Sequence, residues 1–216
     1  MAGMDLETAY GKLALLDPEM ARLVERLGRP DPFSFSPILS RVGKDHFRAL
    51  MLSITSQQIS SAAAWAIFDR VIAALDGRPD PASVLALGPE RLLTLGLSHA
   101  KVLSVIDLAT AVETGRVDLD HLPDDDEAAI ALLSTIRGIG RWSAEVFLIM
   151  QLRRPDILPA GDLGIRKAIA RVWHLPEIPT VKEVRARGLA WSPYRTYAAI
   201  LLWTSLGAPE GAHPAK

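Results

Sequence analysis

The 216-residue sequence predicts an all-α fold, and two observations carry this prediction. Ala, Leu, Arg and Glu, which favour helices, fill most segments, and the apolar residues recur with a helical period. The alternation of β-branched and polar residues that is typical of a half-buried strand is scarce. We therefore expect helices that are joined by turns, without a sheet.

Capping residues, prolines and glycines indicate where the helices begin and end. Asp17-Pro18 and Ser192-Pro193 suit the N-cap and the first position of a helix. Asp80-Pro81 and Gly88-Pro89 each open a short helix. The longer helices are predicted at about 6–15, 18–27, 45–55, 60–75, 98–112, 127–136, 142–152, 163–173, 181–189 and 193–206.

Composition limits the class of protein. Hydrophobic residues make up 49% of the chain and charged residues 23%, which is typical of a globular protein. No apolar run approaches the roughly 20 residues that cross a bilayer, and the N-terminus lacks the basic and apolar regions of a secretory signal. The chain has no cysteine, which excludes disulfides, Cys-ligated zinc and Cys-bound iron–sulfur clusters. We expect a cytoplasmic protein without a membrane partner.

Charge and histidine placement narrow the class further. The net charge of −1 argues against nucleic-acid binding through a large basic surface. It leaves open nucleic-acid binding through a few suitably oriented backbone amides and nearby Arg or Lys side chains. The five histidines are scattered without metal-ligand spacing, so we expect no catalytic transition metal.

The first candidate site is a tight turn between two predicted helices, Arg137-Gly138-Ile139-Gly140-Arg141. Its two glycines allow backbone conformations that other residues avoid, and they leave room for a close approach. The helix that follows presents amide groups and a partial positive charge that suit a phosphate oxygen. Such a grip would read the position of a DNA backbone rather than its sequence. The alternative is a simple helical corner with glycine at a C-cap.

The second candidate is Asp162, which follows the apolar segment Ile157-Leu158-Pro159 and directly precedes a predicted helix. Aspartate is a favoured N-cap, so a purely structural role is the alternative. The two roles are compatible, because the start of a helix orients a carboxylate and stabilises its charge. Asp124, Asp125 and Asp126 fit a solvated loop or helix start better, and Asp156 lacks the flanking pattern.

Four ordered segments together resemble one family. They are Ser56-Gln57-Gln58-Ile59-Ser60, Gly138-Ile139-Gly140-Arg141-Trp142-Ser143-Ala144, Pro159-Ala160-Gly161-Asp162-Leu163-Gly164, and Trp191-Ser192-Pro193-Tyr194-Arg195 with Tyr197 and Trp203. From about residue 13 to 207 the chain resembles the helix-hairpin-helix (HhH-GPD) DNA glycosylase superfamily, and within it the DNA-3-methyladenine glycosylase II branch.

The resemblance implies two helical subdomains with a DNA-binding cleft and a helix-hairpin-helix motif. Subdomain A would cover about 45–140, subdomain B about 1–44 plus 141–207, and a flexible tail would follow at 208–216. It also implies that Asp162 is the catalytic aspartate, twenty positions after Trp142. A fixed carboxylate stabilises the positive charge that develops on the sugar as the N-glycosidic bond breaks, and it can orient the attacking water.

Further roles follow from the same resemblance. Gly138, Gly140 and Ser143 would bind a DNA phosphate. The main-chain carbonyls of Ser134, Ile136 and Ile139 would hold a Na⁺ or K⁺ ion at the hairpin, while catalysis itself would need no cofactor. Gln58 would be the wedge that fills the gap left by the flipped nucleotide. Without the resemblance, Gln57 and Gln58 are simply polar residues at a helix junction.

The resemblance implies a base pocket whose members include two tryptophans, which can favour cationic alkylated purines by stacking and cation–π attraction. Trp142 occupies the position of the lysine that gives bifunctional relatives their lyase activity, and an indole cannot form a Schiff base. Two positions that hold tyrosine in the best-known members hold aliphatic residues here, so the pocket should be less polar and roomier. The predicted pocket residues are Trp142, Trp203, Val146 and Leu163. The alternative for each tryptophan is a core aromatic.

The sequence therefore predicts a monofunctional glycosylase, a monomer associated with the nucleoid, that acts on double-stranded DNA containing alkylated bases. Base flipping would bring 3-methyladenine or 7-methylguanine into the pocket. As a further hypothesis, 1-methyladenine or 3-methylcytosine would be removed as well. The alternatives are a non-catalytic DNA-binding or lesion-sensing module, a glycosylase for mismatched or deaminated bases, and a helical scaffold.

Overall fold

A computed structural model describes residues 5–33 and 42–207, and the statements below refer to these ranges. They contain α-helices and one short 3₁₀ helix and no strand, which confirms the predicted all-α class. None of the helices in these ranges is long and apolar enough to cross a membrane. The predicted tail at 208–216 lies outside the described residues.

The helices lie close to their predicted positions. They are α1 (Leu6–Leu16), α2 (Pro18–Leu27), α3 (His46–Ser56), α4 (Ser61–Ala74), α5 (Pro81–Thr94), α6 (His99–Glu113), α7 (Asp126–Leu133), α8 (Arg141–Met150), α9 (Leu163–Val172), α10 (Val181–Gly188), the 3₁₀ helix Leu189–Trp191, and α11 (Arg195–Ser205).

The chain forms two compact units. Among the described residues, the central unit comprises residues 42–147, and the terminal unit comprises residues 5–33 and 148–207. The sequence predicted the end of subdomain A at about residue 140, and the compact unit extends to residue 147. Residues 141–147 belong to the central unit because the Arg141 guanidinium pairs with Glu127, and because the rings of Phe147 and His46 meet edge to face at 5.9 Å. The second boundary, near residue 37, falls among residues that the structure does not describe.

In the central unit, side-chain caps start the helices. Asp45, Ser60, Asp80, Ser98 and Asp125 each accept a hydrogen bond from an amide in the first turn that follows them. Helix α5 is kinked at Gly88, where φ is 76°, so that two short helical segments meet as the Gly88-Pro89 dipeptide predicts. Helix α6 packs against both α3 and α5 over a fully buried apolar core. That core includes Leu50, Ile54, Leu92, Val105 and Leu108.

In the terminal unit, α11 is the most buried helix. It packs against α2 and α9, and its residues from Thr196 to Leu202 are buried. The start of this helix differs from the prediction, since Ser192 is not its N-cap. The Ser192 hydroxyl donates instead to the Asp156 carboxylate at 2.7 Å, and a turn closed by Tyr194 N to Trp191 O precedes the helix.

Candidate active site

The glycine turn joins α7 and α8 in the central unit. Helix α7 ends at Leu133, three residues earlier than predicted, and the Ile139 amide donates to the Ile136 carbonyl at 3.0 Å to close the turn. The Ala144 amide donates to the Gly140 carbonyl at 3.0 Å, so α8 begins immediately after Gly140. The amides at the start of α8 have no acceptor within their own helix, as at any helix N-terminus.

The two glycines of the turn serve different purposes. Gly138 has φ 79°, and a Cβ atom there would lie 2.5 Å from the Ser104 hydroxyl oxygen on α6. Gly138 is therefore required by both conformation and packing. Gly140 lies outside the left-handed region, and a Cβ there would meet nothing within 4 Å. The prediction that both glycines adopt special conformations is thus correct only for Gly138, while Gly140 leaves an open approach to α8.

Side chains from outside the turn hold its backbone in place. The carboxylate of Asp107 on α6 accepts a hydrogen bond from the Arg137 amide at 2.7 Å, and its other oxygen pairs with Arg116 at 2.6 Å. The side-chain amide of Gln57 donates to the Gly138 carbonyl at 2.8 Å. The sequence did not predict these hydrogen bonds from Asp107 and Gln57. The residues around each of them give no sign of a partner that lies 30 or 81 positions away.

Arg141, the first residue of α8, is held by carboxylates. Its guanidinium forms two hydrogen bonds with Glu127 on α7, and its Nε donates to Glu145 at 2.8 Å. The bonds with Glu127, and next the nearby charge of Glu145, raise the pKa of Arg141. Because the charge of Arg141 is already paired with these carboxylates, a role for Arg141 in binding a phosphate would compete with them.

The other predicted site residues of the central unit lie on α8 and in the loop between α3 and α4. Trp142 and Val146 are half-buried and four positions apart on α8, which places them on one side of the helix. Ser143, a predicted phosphate ligand, is only 8% exposed. Gln58 is exposed between α3 and α4 with φ 58°, a conformation that is uncommon for a residue other than glycine.

Asp162 lies in the terminal unit as the N-cap of α9. The Asp162 amide donates to the Pro159 carbonyl at 2.9 Å, which forms the turn before the helix. Its carboxylate oxygen Oδ1 accepts from the Ile165 amide at 2.8 Å, as an N-cap does. The side chain of the next residue, Leu163, is 40% exposed, whereas Asp162 itself is only 5% exposed. A buried carboxylate therefore stands at the positive end of a helix.

Trp203 on α11 has a function that the sequence did not reveal. Its indole Nε1 donates to Asp162 Oδ1 at 3.1 Å, and the residue is 8% exposed. The predicted alternatives were a pocket wall and a core aromatic. The structure adds a direct bond that orients the candidate catalytic carboxylate.

The competing carboxylates are engaged elsewhere. Asp156 pairs through both oxygens with Arg195, at 2.8 and 2.9 Å, and also accepts from Ser192. Asp125 caps α7 by accepting from the Ala128 amide at 2.8 Å. Asp162 is an N-cap as well, but it is buried and also accepts a hydrogen bond from an indole, which distinguishes it from Asp125 and Asp156.

The predicted cation ligands are backbone carbonyls of the turn. Carbonyl oxygens are hard donors that suit Na⁺ or K⁺. The Ile136 carbonyl already accepts from Ile139 N, which leaves one of its two lone pairs for an ion. This donor chemistry fits the proposed ion. In the part of the chain that the structure describes, no group of three or more His, Cys, Asp or Glu side chains could hold a metal.

Comparisons with known proteins identify the family of this chain. Residues 51–193 match the model of the HhH-GPD superfamily of base excision DNA repair proteins. The chain is 32% identical to DNA-3-methyladenine glycosylase 1 of Schizosaccharomyces pombe over 208 residues, which cover 94% of this chain and 89% of that protein. It is 29% identical to DNA-3-methyladenine glycosylase 2 of Escherichia coli over 60% of this chain and 43% of that one.

Two solved structures are similar throughout. One is the 3-methyladenine DNA glycosylase of Schizosaccharomyces pombe in complex with abasic DNA, with a TM-score of 0.77 and 32% identity, covering 95% of this chain and all of that one. The other is a DNA-3-methyladenine glycosidase of Bacillus halodurans, with a TM-score of 0.82 and 28% identity, covering 96% and 93%.

The fold and the matched motifs together define a base excision DNA repair protein with a helix-hairpin-helix. The chain belongs to the HhH-GPD superfamily. Within that superfamily, its relatives put it in the branch of the DNA-3-methyladenine glycosylases.

Proposed function

We propose that this protein is a monofunctional DNA glycosylase that excises alkylated bases from duplex DNA. The observation that carries the proposal is the environment of Asp162, a buried carboxylate that a helix start and the Trp203 indole hold in one orientation. Its family membership and the names of its relatives support base excision. The similar structure that contains abasic DNA holds what base removal leaves behind.

The proposed reaction is hydrolysis of the N-glycosidic bond. The bonding electron pair leaves with the base, and C1′ of the sugar gains positive charge. The carboxylate of Asp162 stabilises that charge and orients a water molecule, whose oxygen bonds to C1′ while its proton is released. A water nucleophile is consistent with Trp142, since an indole offers no amine for a Schiff base. Lys167 does not replace it, because its side chain is exposed on α9.

Cationic alkylated purines, 3-methyladenine and 7-methylguanine, are the proposed substrates. Trp142 is the proposed stacking partner of the flipped base, and Val146 and Leu163 are proposed as its aliphatic contacts. Small aliphatic contacts tolerate bases of different shape, so 1-methyladenine and 3-methylcytosine are included as a wider hypothesis. Trp203 contributes through its bond to Asp162, whether or not it also touches the base.

The hairpin is the proposed grip on the DNA backbone. The turn of Gly138 and Gly140 would hold a phosphate oxygen that accepts hydrogen bonds from the amides at the start of α8, together with a Na⁺ or K⁺ ion at the carbonyls of the turn. Ser143 is buried, so we propose its amide rather than its hydroxyl as the contact. Gln58 is the proposed wedge, and its exposed position suits insertion into a duplex.

The proposal is tested with Asp162→Asn on methylated duplex DNA. Asparagine keeps an oxygen that can accept from Ile165 N and from Trp203 Nε1, so the fold should survive while the charge is lost. We expect the wild type to release free alkylated base, and the variant to be about 10²- to 10³-fold slower in single turnover. Borohydride should trap no covalent adduct with either protein.

Asp80→Asn is the matched control. Asp80 is also an N-cap, accepting from Ser83 N at 2.8 Å, and its substitution should leave excision unchanged. Release of no alkylated base by the wild type would reject the proposed activity in favour of one of the alternatives, a DNA-binding module, a glycosylase for mismatched or deaminated bases, or a helical scaffold. A borohydride-trapped adduct would instead reject the monofunctional mechanism.

A further inference from the structure

We propose that Gln57 is a positioning residue that fixes the loop carrying Gln58 to the hairpin, so that the wedge is already in place when the hairpin holds the backbone. This inference rests on the proposed functions of Gln58 and of the hairpin. It concerns a side chain for which the sequence offered only a solvated polar role.

The link itself is a single hydrogen bond between distant parts of the central unit. The side-chain Nε2 of Gln57 donates to the Gly138 carbonyl at 2.8 Å. Gln57 ends α3 and is the neighbour of Gln58 in the chain, while Gly138 lies in the middle of the turn. The bond therefore joins the segment of the proposed wedge directly to that of the proposed phosphate grip.

The hairpin end of this bond has little freedom to move. A Cβ on Gly138 would lie 2.5 Å from Ser104 Oγ, so the turn is in close contact with α6. One residue earlier, the Arg137 amide donates to Asp107 on the same helix at 2.7 Å. Gln57 thus bonds to a turn that α6 already holds through Ser104 and Asp107.

The segment that carries Gln58 is also attached to α6, through Lys101. Lys101 of α6 donates through Nζ to the Thr55 carbonyl at 2.7 Å, two residues before Gln57. On the other side of Gln58, the Ser60 hydroxyl accepts from Ala63 N at 3.3 Å and starts α4. The Gln57 amide donates to the Ile54 carbonyl at 3.4 Å, which continues α3 to this residue. The Gln57 side chain adds the bond that joins the residue next to the wedge to the hairpin.

This arrangement should matter only when a wedge is needed. Insertion of Gln58 competes with base stacking, so any freedom in the loop adds an ordering cost to the flipped state. Binding of undamaged duplex through the hairpin needs no insertion, and a single strand leaves no gap to fill. The effect of Gln57 should therefore appear in excision from duplex DNA and should depend on Gln58.

The test is a double-mutant cycle with Gln57→Met and Gln58→Ala. Methionine has a similar length but cannot donate a hydrogen bond. We expect Gln57→Met to slow single-turnover excision from methylated duplex about three- to tenfold, the range for loss of one hydrogen bond. It should not slow excision from methylated single strands, nor change the affinity for undamaged duplex by more than about twofold.

In the Gln58→Ala background, Gln57→Met should cause no further loss. Ser56→Ala is the matched control, since the Ser56 hydroxyl donates to Ser53 O within α3 and does not reach the hairpin. Additive losses, equal losses on duplex and single strand, or no loss would each overturn the inference. An unchanged thermal unfolding midpoint would show that Gln57→Met folds normally. If the midpoint falls, Gln57→Asn, which keeps the amide but is too short to span the distance, replaces it.

A second readout does not depend on catalysis. A duplex with a tetrahydrofuran abasic analogue, and 2-aminopurine opposite it, reports wedge insertion through fluorescence. We expect Gln58→Ala and Gln57→Met to change the bound-state fluorescence in the same direction, and Ser56→Ala to leave it as in the wild type. If these changes occur while no base is ever released, the glycosylase proposal fails and the positioning inference stands. The inference is overturned if the bound-state fluorescence does not change on substitution of Gln58, or does not change on substitution of Gln57.

Discussion

The bond between Trp203 and Asp162 joins two buried side chains that lie 41 positions apart. A carboxylate that acts electrostatically must be held where charge develops, because a side chain that reorients during the reaction stabilises less. The N-cap bond to Ile165 N restrains Asp162 from its own helix, and the indole restrains it from α11. Two independent restraints on one oxygen are more than helix capping requires.

Trp203→Phe should separate orientation from aromatic bulk. Phenylalanine retains an apolar ring but has no N–H, so a buried carboxylate oxygen loses one donor. We expect single-turnover excision to fall about ten- to hundredfold, in line with about 1.5–3 kcal/mol for a bond to a charged group. Trp65→Phe, on α4 of the central unit, is the control and should leave the rate unchanged. A Trp203→Phe variant with wild-type kinetics would mean that the indole bond contributes nothing to the reaction.

At the scale of elements, the hairpin is built from a rigid side and an open side. Gly138 contacts α6, and the Arg137 amide is held by Asp107. The start of α8 is fixed to α7 by the pairing of Arg141 with Glu127. Gly140, in contrast, faces open space. Helices α6 and α7 thus hold the turn in place, and the approach to the α8 amides stays open.

Alanine at the two glycines should give opposite results. Gly138→Ala forces a side chain into φ 79° and against Ser104, and we expect a loss of about 1–3 kcal/mol in the free energy of unfolding. Gly140→Ala should cost less than about 1 kcal/mol, because it meets no atom and changes only the residue before a helix. Its methyl group should nevertheless weaken binding to undamaged duplex, since it lies in the proposed path of a phosphate.

Urea unfolding and fluorescence anisotropy with labelled duplex measure these two quantities. The glycine interpretation would be wrong if Gly140→Ala were the more destabilising change. It would also be wrong if Gly140→Ala bound DNA as tightly as the wild type.

At the scale of the whole molecule, the net charge of −1 limits how the protein can hold DNA. Long-range attraction to a polyanion is weak when 24 basic residues face 25 acidic ones. Affinity must then come from a small number of local phosphate contacts, among which the proposed hairpin grip uses backbone amides rather than charged side chains.

We therefore expect a shallow salt dependence. The logarithm of the binding constant for duplex DNA should fall with the logarithm of KCl concentration with a slope of about −2 to −4, which corresponds to the release of roughly two to four counterions. Replacing KCl by tetramethylammonium chloride at equal ionic strength should weaken binding if a Na⁺ or K⁺ ion sits at the hairpin carbonyls. A much steeper slope would indicate a large basic surface, and equal affinity in both salts would count against the ion.

The outcomes for particular residues show how far sequence reasoning extended. It predicted that Asp162 is an N-cap, that Gly138 needs a special conformation and that α5 has a break at Gly88, all of which the structure confirms. It was wrong about Ser192, which bonds to Asp156 and does not cap the last helix. The assigned roles of Gln58, Val146, Leu163 and the hairpin carbonyls remain predictions.

Local sequence was sufficient to predict the helical class and most helix limits, because caps, glycines and prolines act on neighbours within about four residues. Motif order also identified the family. Three contacts became visible only in the tertiary structure. Trp203 orients Asp162, and Asp107 supports the hairpin. Gln57 links the hairpin to the loop that carries Gln58. Those bonds join residues from 30 to 81 positions apart, and such pairs meet only when the helices between them have packed.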